Sequence, residues 1–322
     1  MLDLEPILAA VRQAADLTRR VRQQHIANAK ADSSPVTIAD YGSQALLCRA
    51  ISQAFPGDAV MAEERAAQFL TLVSEAERAR VAAAVGAVLG ETVSEADLVR
   101  WLDHGHERAA ARTWIIDPID GTKGYIGGRR YSIAVAALED GVVTAGVLGS
   151  PGYPTADGYG LLFYAQKMAA FVEPMTGGRA ARIAVSTRTA PRSLRVVESV
   201  EKSHGDHPGK ERVYARLGID PAQIVAIDSQ DKFAAVAFGE ADLFLRFVSS
   251  PRLQTWDYAA GTALLLAAGG AVTDLDGGLI DFTAGPLLAN NRGVIASNGA
   301  VHQQVIEAVQ LVLAEYEDGM LH

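Results

Sequence analysis

The sequence holds a single cysteine, Cys48, which excludes an internal disulfide and fits a reducing compartment such as the cytoplasm. Positive charge is scarce. Lys and Arg number 29 against 38 Asp and Glu, a net charge of −9 at pH 7, and this excludes a broad basic surface for nucleic acid. Long apolar runs are missing too. The longest, Ala259 to Val272, is interrupted by Gly261, Gly269 and Gly270 and is too short to span a bilayer, so no membrane partner is expected. Asp3 and Glu5 interrupt the first apolar residues, which do not read as a signal peptide. No internal repeat, low-complexity tract or long linker is visible. What is present is 322 residues, 49% hydrophobic and 21% charged, enough for one large domain or two smaller ones with a substantial core.

The chain is organised around Trp114-Ile115-Ile116-Asp117-Pro118-Ile119-Asp120-Gly121-Thr122-Lys123-Gly124. Trp114 to Ile116 reads as the end of a buried strand. Two carboxylates follow, three positions apart, with Pro118 between them fixing one φ angle and Gly121 permitting a tight turn. Both acids are expected to leave the sheet edge together and enter one small volume. Hard divalent cations require clustered oxygen ligands of this kind, and Thr122 adds a hydroxyl just beyond. The stretch therefore reads as a Mg²⁺ site with a positioned nucleophilic water. Taken alone, Asp-Pro and Asp-Gly are also ordinary turn formers.

Apolar spacing from Leu4 to Leu17 predicts an amphipathic helix, ended by the loop Ala31 to Pro35. A second helix is expected to start near Asp40 and to stop at Pro56-Gly57, with Asp40 either an N-cap or a site residue. Val60 to Ala62 leads into Glu63-Glu64, and residues 65–104 read as helix in pieces, with Ser94 and Asp97 as a capping box. Tyr131 to Leu138 and Val142 to Leu148, joined by Glu139-Asp140-Gly141, predict a hairpin, and Gly158 to Val172 predicts further strands. Near residue 180 the pattern changes. Ile183 to Ser186, Arg195 to Val197 and Ile224 to Ile227 read as strands of a second α/β lobe, dividing the chain into lobes at 1–180 and 181–322. Asp228 to Lys232 opens a helix with Ser229 as its N-cap. Lys232 opposes the helix dipole there, which points to an anion site, although Asp231 beside it weakens the argument. Leu243 to Phe247 is the next strand, with Arg246 facing away from Leu243, Leu245 and Phe247. Asp257 opens a buried apolar helix, a costly position for an unpaired acid. Gly293 to Ser297 reads as a late strand and Ala300 as the start of a terminal helix.

Four segments in this order carry a resemblance. Val36-Thr37-x-x-Asp40, Ala62-Glu63-Glu64, Asp117-Pro118-Ile119-Asp120-Gly121-Thr122 and Trp256-Asp257-x-Ala259-Ala260-Gly261 resemble the inositol-monophosphatase superfamily of Mg²⁺-dependent, lithium-sensitive phosphatases. Within it the sequence is most similar to the 3′(2′),5′-bisphosphate nucleotidases, through Gly121-Thr122-Lys123-Gly124-Tyr125, Glu198 to His204, Asp228-Ser229-Gln230-x-Lys232 and Asp242 to Arg246. The resemblance implies a two-lobed, layered α/β/α/β/α sandwich with the site at the lobe junction. It implies metal ligation by Glu63, Asp117, Asp120, Asp257 and the Ile119 carbonyl, with two or three Mg²⁺ ions. Asp40 and Thr122 would orient and deprotonate the attacking water. Gly121, Thr122, His204, Ser229, Lys232 and Arg246 would hold a phosphonucleotide. The sequence departs from the family at Ala62 (usually Gly), at Tyr125 (usually Phe) and at Pro286, where an arginine is usual.

The implied reaction is hydrolysis of the 3′-phosphate of adenosine 3′,5′-bisphosphate, and of its sulfo derivative, by a monomer or homodimer. An inositol-phosphate or sugar-phosphate phosphatase is the alternative enzyme, and a non-catalytic phosphonucleotide sensor the alternative of another class. A sensor has no need of Asp40 and Thr122. Two carboxylates near 4 Å repel by about 4 kcal/mol at an effective dielectric of 20. Six such pairs among four acids exceed the roughly 5–15 kcal/mol that holds a domain folded. Such a cluster makes sense mainly with cations bound.

Overall fold

The structure is a computed structural model and describes residues 2–27, 35–200, 208–247 and 253–317. Helices α1 (Glu5–Ala27) and α2 (Pro35–Ala54) come first, then strand β1 (Ala59–Ala62). Three helices follow, α3 (Ala66–Leu72), α4 (Glu75–Leu89) and α5 (Glu95–Leu102), and carry the chain to β2 (Arg112–Asp120), which lies parallel to β1. Parallel neighbours require a crossover of this kind. Capping boxes start two of these helices, Ser74 with Glu77 and the expected Ser94 with Asp97.

After the short helix α6 (Thr122–Ile126), an antiparallel meander runs through β3 (Ser132–Glu139), β4 (Val142–Ser150), β5 (Leu161–Gln166), β6 (Ala169–Pro174) and β7 (Ala181–Ile183). The β3–β4 turn has two central residues, Asp140 and Gly141, both at positive φ as a tight hairpin demands. A second sheet has the order β11-β12-β10-β8-β9, built from β8 (Val196–Glu198), β9 (Ile224–Ala226), β10 (Leu243–Phe247), β11 (Ala271–Thr273) and β12 (Gly293–Ser297). Its helices are α7 (Pro208–Leu217), α8 (Asp231–Ala237), α9 (Ala259–Ala267) and α10 (His302–Glu317).

Side-chain alternation sorts these elements into five layers. Trp114, Ile116, Ile133 and Val135 point from the first sheet into a core shared with α1, α2, α4 and α5. Ile115, Ala134 and Ala136 point the other way, into a core shared with α8, α9 and the inner face of the second sheet. Val196, Leu243 and Ile295 pack from the outer face of that sheet against α7 and α10. The result is the expected α/β/α/β/α sandwich. Among the described residues no helix is long and apolar enough to cross a membrane.

Three expectations need correction. The second helix starts at Pro35 rather than near Asp40; proline suits a first helical turn, and Asp40 lies inside the helix, not at its cap. Strand β2 does not end at Ile116 but continues through Asp120. Ile183 belongs to the first sheet, because β7 returns along β6 with Ala170 opposite Ile183 after a short turn. The segment expected to open the second lobe thus closes the edge of the first sheet.

Candidate active site

The continuation of β2 creates the site. Asp117 pairs with Ala134 and Asp120 with Ser132, so β2 carries one more residue than β3 between these points, a β-bulge. In a regular strand, residues three apart face opposite sides of the sheet. The extra residue cancels that. Ile116 and Ile119, also three apart, both enter the core on the α1–α2 side. Asp117 and Asp120 accordingly share the other side, facing the middle helical layer. Pro118 sits inside the bulge, where its missing N–H is tolerated.

Asp257 arrives from that middle layer on a single 3₁₀ turn, Thr255–Asp257, just ahead of α9. Carboxylate oxygens of Asp117, Asp120 and Asp257 lie within 4.8 Å of one another. Glu63 follows β1, whose register sets Ala62 opposite Ile116, and its N–H donates to the Ile116 carbonyl at 3.2 Å. That places Glu63 beside Asp117.

Crowding shows in the proton affinities. Burial, and then Glu63, Asp120, Asp257 and Asp40, push Asp117 well above the ordinary carboxylate range. Asp257 rises to about 8, chiefly through burial and then through Asp120 and Glu63, with Arg246 and Lys232 opposing. Glu63, on the open side of the cleft, rises to about 7 through desolvation and then Glu64. Asp120 is raised by burial against the pull of Lys232 and of hydrogen bonds from Gln230. At a separation of 4.8 Å each ionised pair costs about 3.5 kcal/mol at an effective dielectric of 20.

Asp40 is buried behind Glu63 and Glu64 and is not among the residues lining the cavity. Burial and those two acids hold its carboxyl well above its usual range. The Thr122 hydroxyl donates to the Ile119 carbonyl at 3.3 Å, so these two expected site atoms already meet. The loop after β1 is fixed from α2. The Gln44 amide donates to the Glu64 carbonyl at 2.7 Å and accepts from the Glu64 N–H at 2.9 Å.

The opposite wall of the cavity, which has a volume of about 350 Å³, carries Ser229, Lys232 and Arg246. Ser229 is not a simple N-cap. It stands at φ +64°, its hydroxyl lies 2.8 Å from that of Ser132, and it accepts the Asp231 N–H at 3.2 Å. Lys232 folds back over the start of α8, donating to the carbonyls of Ser229 (2.6 Å) and Ile227 (3.3 Å) with Phe244 beneath it at 5.4 Å. Arg246 is half-buried, and its Nε is buried with no hydrogen-bond partner among the described residues. The walls touch at Gly121, which has φ +85°; a Cβ there would come within 3.1 Å of the Ser229 Cβ. His204 lies outside the described residues.

Two of the departures have a defined place in the structure. The Tyr125 hydroxyl donates to the Thr18 carbonyl at 2.9 Å. The Pro286 carbonyl accepts the Thr255 N–H at 2.8 Å and so braces the turn that carries Asp257. Gln44 was not singled out from the sequence, and Gln230 appeared there only as a member of the Asp228-Ser229-Gln230-x-Lys232 motif, with no role of its own. Both amides become buried, on α2 and at the start of α8 respectively.

Comparison with known proteins gives the family. A model of the inositol monophosphatase family matches residues 3–314, and the chain belongs to that family. More particularly, its relatives include the 3′(2′),5′-bisphosphate nucleotidase of Emericella nidulans, 36% identical over 94% of this chain and 96% of that one. The enzyme of the same name from Oryza sativa is 33% identical, covering 96% and 94%. Among solved structures, the Thermotoga maritima IMPase is similar with a TM-score of 0.61 at 24% identity, covering 97% of this chain and 98% of that one. Inositol monophosphatase II of Staphylococcus aureus gives 0.62 at 18%, covering 94% and 91%. These two structures bear on the fold alone.

Proposed function

We infer that the chain is a metal-dependent phosphatase that hydrolyses the 3′-phosphate of adenosine 3′,5′-bisphosphate to AMP and inorganic phosphate, and acts likewise on the 5′-sulfo derivative. One observation carries this reading: a single cavity has a carboxylate wall (Asp117, Asp120, Asp257) facing a cationic wall (Lys232, Arg246). A substrate with two separated anionic groups suits such a cavity, one group at each wall. The volume is in the range of small-molecule sites. The nucleotidases among the relatives support the same substrate.

The residues present fit Mg²⁺. The donors are all oxygen, and burial together with mutual repulsion drives the clustered acids to hold protons, a repulsion that a bound divalent ion would relieve. Asp117, Asp120 and Asp257 would hold the metal, with Glu63 and the Ile119 carbonyl completing a set for two or three ions. When bound, Mg²⁺ supplies charge neutralisation at the phosphoryl group and eases loss of a proton from water. The chain's own part is positional. Thr122 orients the water for in-line attack, backed by Asp40 behind the Glu63–Glu64 loop, and Asp40 in its carboxylate form takes the proton released. Gly121 and Thr122 seat the phosphoryl oxygens. Ser229, Lys232, Arg246 and His204 hold the nucleotide, which fixes the reacting phosphorus in line. The two lobes, expected to divide at 180 and here divided just after β7, each contribute residues to this cavity.

Phosphate release from adenosine 3′,5′-bisphosphate, measured beside inositol 1-phosphate and fructose 1,6-bisphosphate, with Mg²⁺ and with EDTA, tests the reading. Strong preference for the nucleotide and loss of turnover in EDTA are expected. Equal rates on all three would remove the nucleotide assignment, and nucleotide binding without turnover would leave a sensor.

A further inference from the structure

Gln230 is buried at 1% exposure and makes contacts to three chain segments at once. Its backbone N–H donates to Asp120 Oδ2 at 2.5 Å. Its side-chain Nε2 donates to the Trp256 carbonyl at 2.9 Å, immediately before Asp257. Its Oε1 accepts the N–H of Gly261 at 3.0 Å. That N–H is one of the free donors in the first turn of α9, since the earliest bond within the helix runs from the Thr262 N–H to the Tyr258 carbonyl. Gln230 therefore caps α9 from another segment while gripping the turn that carries Asp257.

The outer side of this turn is held separately. Thr255 N–H bonds the Pro286 carbonyl, and the Thr255 hydroxyl bonds that of Gly285. Only Gln230 ties the turn to the β2 carboxylates among the hydrogen bonds of the described residues. Asp120 ends a strand and Asp257 sits on a 3₁₀ turn ahead of a helix, so strand register does not relate one to the other. α8 and α9 are pressed together beside the clamp, where a Cβ on Gly261 would meet the Phe233 ring at 2.4 Å. The carboxamide is thus held with little room to move.

We propose that Gln230 is a positioning residue that sets the spacing between Asp120 and Asp257, and through it the affinity of the site for divalent cations. Its amide orients the Asp257 turn, and its backbone N–H fixes one oxygen of Asp120 and leaves the other for the cation. Neither glutamate nor methionine reproduces both side-chain bonds, because glutamate lacks the donor and methionine lacks both groups. This rests on the metal-dependent reading above.

The test is calorimetric titration of the full chain with Mg²⁺ for wild type, Gln230→Met and Gln230→Asn, with folding checked by circular dichroism. Ser150→Ala serves as a control, since it removes a different buried hydrogen bond, to Asp231 next along the chain, and leaves the three Gln230 bonds in place. Gln230→Met is expected to raise the Mg²⁺ dissociation constant by about 10–100-fold, the usual cost of losing an outer partner of a metal ligand. Gln230→Asn, with the same groups on a shorter stem, is expected to fall between, and phosphate release by both variants recovers as Mg²⁺ is raised. Ser150→Ala is expected to bind Mg²⁺ like wild type. Wild-type affinity in a folded Gln230→Met overturns the proposal, as does an equal loss in Ser150→Ala, which would mean general loosening. Should Gln230→Met fail to fold, Gln230→Asn decides by the same criterion. Failure of the wild type itself to bind Mg²⁺ overturns the metal reading, and the clamp with it.

Discussion

Substituting Asp257→Asn in metal-free protein should change how stability depends on pH. The Asp257 carboxyl rises from 3.8 to about 8 on folding. An acid of this kind binds its proton more tightly folded than unfolded, so it favours the folded state fully below about pH 4 and loses that effect as pH climbs toward 8. Between those values the folded chain holds one proton more than the unfolded chain, a slope of about 1.4 kcal/mol per pH unit. From pH 5 to 7 the wild type should lose up to about 2.8 kcal/mol through this residue alone, trimmed toward half by its partial exposure. Asparagine has no proton to lose. Coulomb repulsion gives the same order, about 3.5 kcal/mol for each ionised neighbour at 4.8 Å. Urea unfolding in EDTA at pH 5, 6 and 7 measures the gap. The variant should gain on wild type by roughly 1.5–3 kcal/mol across that range, and saturating Mg²⁺ should flatten the wild-type slope by taking the proton's place. Parallel pH profiles for the two proteins would refute the clustering argument.

Asp117→Asn should reduce phosphate release by at least about 100-fold while the circular dichroism spectrum is retained; near-normal turnover would remove Asp117 from the metal site. Lys232→Ala should raise KM for adenosine 3′,5′-bisphosphate far more than for fructose 1,6-bisphosphate. It also strips hydrogen bonds from the Ile227 and Ser229 carbonyls, so a stability loss of about 1–2 kcal/mol should accompany it in denaturant titrations. Gly121→Ala combines a left-handed φ of +85° with a 3.1 Å approach to Ser229. It should cost about 1–2 kcal/mol and weaken nucleotide binding, and an unchanged melting temperature would show that the backbone relaxes there. Cys48 is buried with its thiol pushed up to about 12, so a thiol reagent should modify it only on unfolding.

Local chemistry made much of the molecule legible. The Asp140-Gly141 hairpin, the Ser94–Asp97 capping box and the buried helix from Ala259 each depend on neighbours a few residues apart, and each forms as its spacing predicts. The acids at 63, 117, 120 and 257 were also recognisable, because a short motif surrounds every one of them. Their residue types and order along the chain were enough to indicate the family.

Other features had no local cause. β2 runs past Ile116 because β3 pairs with it beyond that point, and the bulge that turns Asp117 and Asp120 to one side exists only within that pairing. β7 joins the first sheet because β6 offers a free edge at the right place. The role of Gln230 is invisible in sequence, since its partners Asp120, Trp256 and Gly261 are brought to it by the packing of two sheets around one helical layer. Sequence by itself determined which groups are candidates for the chemistry, because that is a matter of covalent identity and short spacing. Tertiary structure alone decided which oxygens face one another and what holds them there, because hydrogen bonds and burial between distant segments arise only once the layers close.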